Sequence, residues 1–113
     1  MDRGEVKRLI DALEGEVNNG GFDQFFFNAA GNEAAQIIQA LEGVGASKTA
    51  AIVRRACAKF LGGMPPTDWF VRQEVLLDVV SPDTEAFEQD DSDFLAYEED
   101  LAALVASYPA RSN

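Results

Sequence analysis

Asn18-Asn19-Gly20-Gly21-Phe22-Asp23-Gln24-Phe25-Phe26-Phe27-Asn28 is the stretch on which the fold turns. Asn and Gly tolerate the left-handed backbone that ends a helix, so Asn18 to Gly21 reads as a stop. Before it, Val6, Leu9, Ile10, Leu13 and Val17 recur at helical spacing and fall on an arc of roughly 100°, the width of a core-facing stripe. Lys7, Arg8, Asp11 and Glu14 lie off that arc. After the stop, four Phe crowd into six positions. Aromatic propensity alone permits a strand there. No partner strand is legible elsewhere and the neighbours are helical, so Phe22–Asn28 reads as a short buried helix ending near Gly31. A buried amide without a partner loses roughly 1–3 kcal/mol. The Asn and Gln side chains are therefore expected to bond to backbone and hold a helix-turn-helix corner. The alternative is an exposed polar-aromatic binding surface.

Working outward, Asn32 is expected to cap a third helix whose apolar face is Ala34, Ile37, Ile38 and Leu41, ending at Gly43 or Gly45. Ser47 is expected to cap a fourth, running to about Leu61, with Ala46, Ala50, Val53, Cys57 and Phe60 on one stripe and Lys48, Arg55 and Lys59 on the other. Gly62-Gly63 and Pro65-Pro66 break the chain. Thr67 is expected to cap a fifth helix, Asp68 to about Val80, carrying Trp69, Phe70, Leu76, Leu77 and Val80. Ser81-Pro82 is a fresh start, with one or two helical turns over 83–89. Ser92 is expected to cap a last helix to about Ser107, with Phe94, Tyr97, Leu101, Leu104, Val105 and Tyr108 inward and a weaker strip of Leu95, Ala102 and Ala106 opposite. The expectation is an all-α fold: one compact domain over residues 1–113, of about six helices with short connections, its tail frayed from about residue 109.

The chain has 113 residues, 47% of them apolar, which suits one domain with a real core. Its net charge of −11 argues against direct nucleic-acid or anionic-membrane binding, since both need positive surface. The charge is lopsided: residues 1–77 hold 10 acids and 8 bases, residues 78–113 hold 10 acids and only Arg111. The absence of His excludes Ser-His-Asp and Cys-His catalysis and His-ligated metal. Met1 to Glu5 runs straight into a charged helix without an apolar signal core, and the longest apolar runs fall short of a membrane span. The expected location is the cytoplasm.

Few residues suggest chemistry. Cys57, the single thiol, sits on an apolar stripe and is expected in the core, although Arg54, Arg55 and Lys59 would lower its pKa if it were exposed. Asp90-Asp91-Ser92-Asp93 offers clustered oxygens for a hard cation but lacks the glycine and distal Glu of an EF-hand loop. It reads better as a helix N-terminus made acidic to complement its dipole. Lys48, Arg55 and Lys59 are expected to pair with the domain's own acids rather than form an anion site. No feature picks a general acid and base out of 20 carboxylates, so no enzyme, cofactor or metal is expected.

The run Asn18 to Asn28 resembles the signature of a family of small acidic bacterial proteins, often catalogued only as a domain of unknown function. The similarity continues through Ile37 to Leu41, Val44 to Ala50 and Tyr97 to Leu101, and covers most of residues 5–108. The family's namesake is a DNA mimic that occupies the DNA-binding surface of a transcription factor. The resemblance implies an all-α fold, a bacterial intracellular setting, and a structural role for Asn18, Asn19, Gly20, Gly21, Phe22, Gln24, Phe25, Phe26 and Asn28. It points to a basic DNA-binding protein as partner, with the chain a monomer or homodimer. The partner surface would be Asp78, Asp83, Glu85, Glu88, Asp90, Asp91, Asp93, Glu98, Glu99 and Asp100. On one helix, Asp93 to Asp100 would space four charges about 2.6 Å apart along the axis, against about 1.7 Å in duplex DNA. The helix wheel spreads them, so a double row of charge needs more than one helix. Two other readings remain open: an interaction or scaffold domain using the Leu95, Ala102, Ala106 strip, and a metal-dependent hydrolase using Asp90 to Asp93.

Overall fold

A computed structural model describes residues 1–109. Their order is α1 (Arg3–Phe27), a 3₁₀ helix (Ala29–Glu33), α2 (Ala34–Gly43), α3 (Ser47–Cys57), α4 (Trp69–Val75), a π-helix (Leu76–Val80), α5 (Glu88–Leu95) and α6 (Leu101–Ala106). The fold is all-α, with no strand among the described residues. The tail at 110–113, expected to fray, lies outside them.

The helical stop in the opening stretch is a kink inside α1. Gly20 (φ −153°, ψ 19°) and Gly21 (φ 72°, ψ −172°) leave helical geometry and divide the element into two arms. The long arm buries Val6, Leu9, Ile10, Leu13 and Val17, the stripe read from the sequence. The short arm buries Phe22, Phe25 and Phe26. Phe22 touches Phe87 and Phe94 with ring centroids 6.2 and 5.9 Å apart, and Phe26 meets Phe60 and Phe87 at 4.9 and 5.2 Å. Six of the eight Phe thus make one buried cluster joining α1 to α5 and to the segment after α3. Edge-to-face and tilted pairs of this kind add about 0.5–1.5 kcal/mol each beyond burial. α2 and α3 bury Ile37, Ile38 and Leu41, and Ala50, Val53 and Cys57, and pack on each other.

Helix ends differ from the sequence expectation. α3 begins at Ser47, but Ser47 caps nothing; the first-turn N–H groups of Lys48 and Thr49 donate to Glu99 at 3.0 and 2.8 Å. α3 also ends at Cys57, short of Leu61. Asn32 lies in the 3₁₀ helix and accepts from Arg72 instead of capping α2. Asp68, not Thr67, caps α4 by accepting from Val71 N–H.

The last helix is two. α5 runs Glu88–Leu95 with Ser92 in its middle, and α6 starts after Asp100, which accepts from Ala103 N–H. Tyr97 breaks the run with φ 47°. Its hydroxyl donates to Glu14 at 2.9 Å and accepts from Asn18 at 2.7 Å, so a tertiary anchor to α1 holds a local geometry most side chains avoid. Asp93 to Asp100 therefore share no helix, and the single-helix charge spacing does not apply. Leu95 is likewise separated from Ala102 and Ala106, so the expected strip is not one helix face.

Candidate functional site

The helix expected from Asp68 to about Val80 carries the apolar residues Trp69, Phe70, Leu76, Leu77 and Val80. Of these only Leu76 is buried. The reason is Arg72, which is fully buried and takes the inward position instead. Its Nε donates to Phe26 O at 2.7 Å, Nη1 to Pro66 O at 3.0 Å, and Nη2 to Asn28 O at 2.9 Å and to Asn32 Oδ1 at 2.8 Å. Burial pulls its pKa below the ordinary arginine range, partly offset by Asp68. The guanidinium ties α4 to the end of α1 and to the loop before α4 through carbonyls. It fixes the rotation of α4 so that Phe70 and Leu77 point outward.

The next turn widens into the π-helix, closed by Ser81 N–H on Leu76 O at 2.8 Å. Single π-turns inside helices are rare and concentrate at functional sites. Phe70 and Val79 are 77% and 73% exposed, and Trp69, Leu77 and Phe27 each more than a third exposed. Trp69 Nε1 and Gln73 Nε2 both donate to Phe27 O, at 2.7 and 2.9 Å, fastening these side chains into one surface. Two shallow grooves share Leu77. One, of about 450 Å³, is lined by Phe70, Gln73, Glu74, Leu77 and Asp78. The other, of about 270 Å³, is lined by Asp23, Gln24, Phe27, Leu76, Leu77 and Thr84. Apolar floor and acidic rim occur together.

The ten acids read as a partner surface fall into two groups. Asp90 is not at the surface: it is fully buried, with Oδ1 2.6 Å from Arg55 Nε and Oδ2 against Lys59. Asp91 is half-buried and accepts from Phe22 N–H at 2.8 Å. Burial raises its pKa, against the hydrogen bond from Phe22. Asp93 pairs with Arg55, whose hydrogen bond, followed by that of Gln89, lowers its pKa. Glu98 lies 3.6 Å from Lys48. Glu99 holds the start of α3; burial opposes its ionisation, but the bonds from Thr49 and Lys48 outweigh that and lower its pKa. Asp100 caps α6. Lys48, Arg55 and Lys59 thus pair with the domain's own acids, as expected. Asp78, Asp83, Glu85 and Glu88 remain exposed, and among the described residues their carboxylates have neither an ion pair nor a hydrogen bond. Of these only Asp78 lines a groove, together with Glu74 and Asp23, which are absent from the expected set.

The motif residues act as a corner brace. Glu16 accepts from Gln24 and Asn28 at 2.7 and 2.9 Å, and Asn19 donates to Gln24 at 2.9 Å. Asn18 donates to Glu14 O at 2.7 Å. The amides bond mostly to other side chains rather than to backbone, a difference from the expectation. Phe27 alone of the four Phe leaves the core, and its signal was in the sequence: a two-turn arm presents only three of four clustered positions inward. Cys57 is buried and its thiol is pushed up to about 12 by that burial, so the neighbouring cations do not activate it. The oxygens of Asp90, proposed for a cation, already face two cationic side chains.

No helix among the described residues is long and apolar enough to cross a membrane. A family model described as DMP19-like protein matches residues 8–113. No curated protein and no solved structure matches the chain.

Proposed function

The chain belongs to the DMP19-like protein family, and from that premise we propose that it is a non-enzymatic binding protein whose acidic face docks onto a basic, nucleic-acid-binding surface of another protein, as a DNA mimic does. One observation carries the reading. Asp23, Glu74 and Asp78 line the two grooves, whose lining contains no Lys or Arg. Asp83, Glu85 and Glu88 are exposed acids in a stretch, residues 73–88, that also lacks both. The grooves therefore carry negative charge with no cation in their lining, while much of the other carboxylate charge is absorbed by internal pairs and helix caps. Such a surface raises encounter rates with a positive partner and repels nucleic acid itself. The setting we infer is bacterial and cytoplasmic.

The test is affinity capture on the immobilised protein from a bacterial extract, eluted with a salt gradient and, separately, with short duplex DNA. Charge contacts at the screening length of about 8 Å at physiological ionic strength weaken steeply as salt rises. A DNA-binding protein released by salt and by DNA is the expected result, and it should be lost with E74K/D78K/E85K/E88K. Retention that ignores salt, or that survives charge reversal, refutes the reading. A scaffold role through apolar contacts is the second reading, favoured by the exposure of Phe70 and Val79.

A further inference from the structure

Among the described residues, five of the eleven exposed large apolar side chains lie within residues 69–79. Trp69 stacks on Phe70, and Phe70 and Leu77 line one groove; exposed apolar surface of this kind on a small protein marks an interaction site. Phe70 and Leu77 are two helical turns apart, about 10 Å at 1.5 Å per residue. Resting on the acidic-face reading above, we propose that this groove seats a basic amphipathic helix of the partner protein. Its apolar i, i+3, i+4, i+7 side chains would lie across Phe70 and Leu77, and its Lys or Arg residues would meet Asp23, Glu74 and Asp78. The two-turn spacing fits the anchor spacing of helix-in-groove recognition. Charge decides between occupants. A second copy of this chain would bring Glu74 and Asp78 against their own counterparts with no exposed cation in segments 22–28 and 73–88 to relieve them, and like charges across an interface cost several kcal/mol. An anionic lipid surface is repelled for the same reason. A cationic helix with an apolar stripe satisfies both rim and floor.

Trp69, the one tryptophan, is 41% exposed and stacks at 6.3 Å on Phe70, which lines the groove, so its fluorescence reports on an occupant through that contact. The experiment titrates the protein with a synthetic 15-residue helix, Leu at i, i+3, i+4, i+7 and Lys elsewhere, and with its sequence-scrambled isomer of equal charge. The expected result is a saturable Trp69 fluorescence change with the amphipathic peptide and at least tenfold weaker binding of the scramble. F70S and L77S should each weaken the amphipathic peptide at least tenfold with melting temperature unchanged, since both side chains are solvent-exposed. E74K/D78K should weaken both peptides. Equal affinity for the two peptides, or full affinity in F70S and L77S, overturns the groove while leaving the acidic-face reading intact. Binding of neither peptide overturns both. A dimer in sedimentation that F70S or L77S dissociates shows a second copy in the groove and overturns the proposal.

Discussion

Gly21 and Asp91 form a coupled pair, and substituting either tests the corner on which the fold depends. Gly21 sits at φ 72°, ψ −172°, backbone that only glycine adopts freely. A Cβ there would lie 2.4 Å from Asp91 Oδ2. Gly21→Ala therefore suffers twice. Backbone strain costs about 1–3 kcal/mol. Displacing Asp91 removes the acceptor for Phe22 N–H at the start of the short arm, worth about 1–2 kcal/mol for a helix cap. The sum is roughly 2–5 kcal/mol, out of about 5–15 for an ordinary domain. Asp91→Ala alone loses only the cap, about 1–2 kcal/mol. With the carboxylate gone, Gly21→Ala meets no clash and costs strain alone. A double-mutant cycle by urea unfolding at pH 7 should return a coupling of about 1–2 kcal/mol, the double variant being less destabilised than the sum of the singles. Additivity within about 0.5 kcal/mol, or a Gly21→Ala protein as stable as the parent, would refute the account of the kink.

Arg72→Lys keeps the charge but not the fork that spans acceptors on different segments. It should cost about 2–4 kcal/mol through orphaned carbonyls, and an unfolding midpoint unchanged in denaturant would contradict the anchoring role. Glu99 has a folded pKa below its ordinary 4.5, so its contribution is present in full above that value and is lost as pH falls through the lowered folded pKa. Glu99→Gln should cost about 1–2 kcal/mol at neutral pH and nearly nothing once Glu99 is protonated; a difference from the parent that stays constant from pH 7 to pH 3 would show that the charge on Glu99 does no capping.

Helical faces made of consecutive apolar repeats were legible. The stripes of α1, α2 and α3 hold residue for residue, because there periodicity and burial coincide. What periodicity could not carry was a charged residue pointing inward. Arg72 occupies the inward register of α4, and a list of that helix's apolar residues does not show that Trp69, Phe70 and Leu77 stay exposed. Asp90 was hidden for a related reason: its partners Arg55 and Lys59 lie 35 and 31 residues earlier, beyond the reach of local pattern. The break between α5 and α6 has no Gly or Pro to announce it. It depends on Tyr97 reaching Asn18 and Glu14, a contact that exists only once α1 is in place. The stretch Asn18–Asn28 stood apart from these failures because its Asn and Gly residues announce the break in α1 locally, although the close approach of Asp91 to Gly21 comes from far along the chain.

The candidate surface moved accordingly. Counting charge placed it on the last third of the chain and on its final helix. Pairing removes Asp90, Asp93 and Glu98 from that count, and capping engages Asp91, Glu99 and Asp100. The carboxylates left without such work are Asp78, Asp83, Glu85 and Glu88, and Asp78 shares the grooved surface with Glu74 and Asp23. Clustered like charge works against a compact state, and these groups offer the fold no compensating bond. Solubility alone accounts for acids on a surface, but it does not account for Phe70, Leu77 and Val79 exposed among them, since exposed apolar side chains favour association. A role in which both features gain is contact with a partner that brings positive charge and apolar surface together. That is why the groove beside the π-helix, rather than the total of −11, is the feature to test.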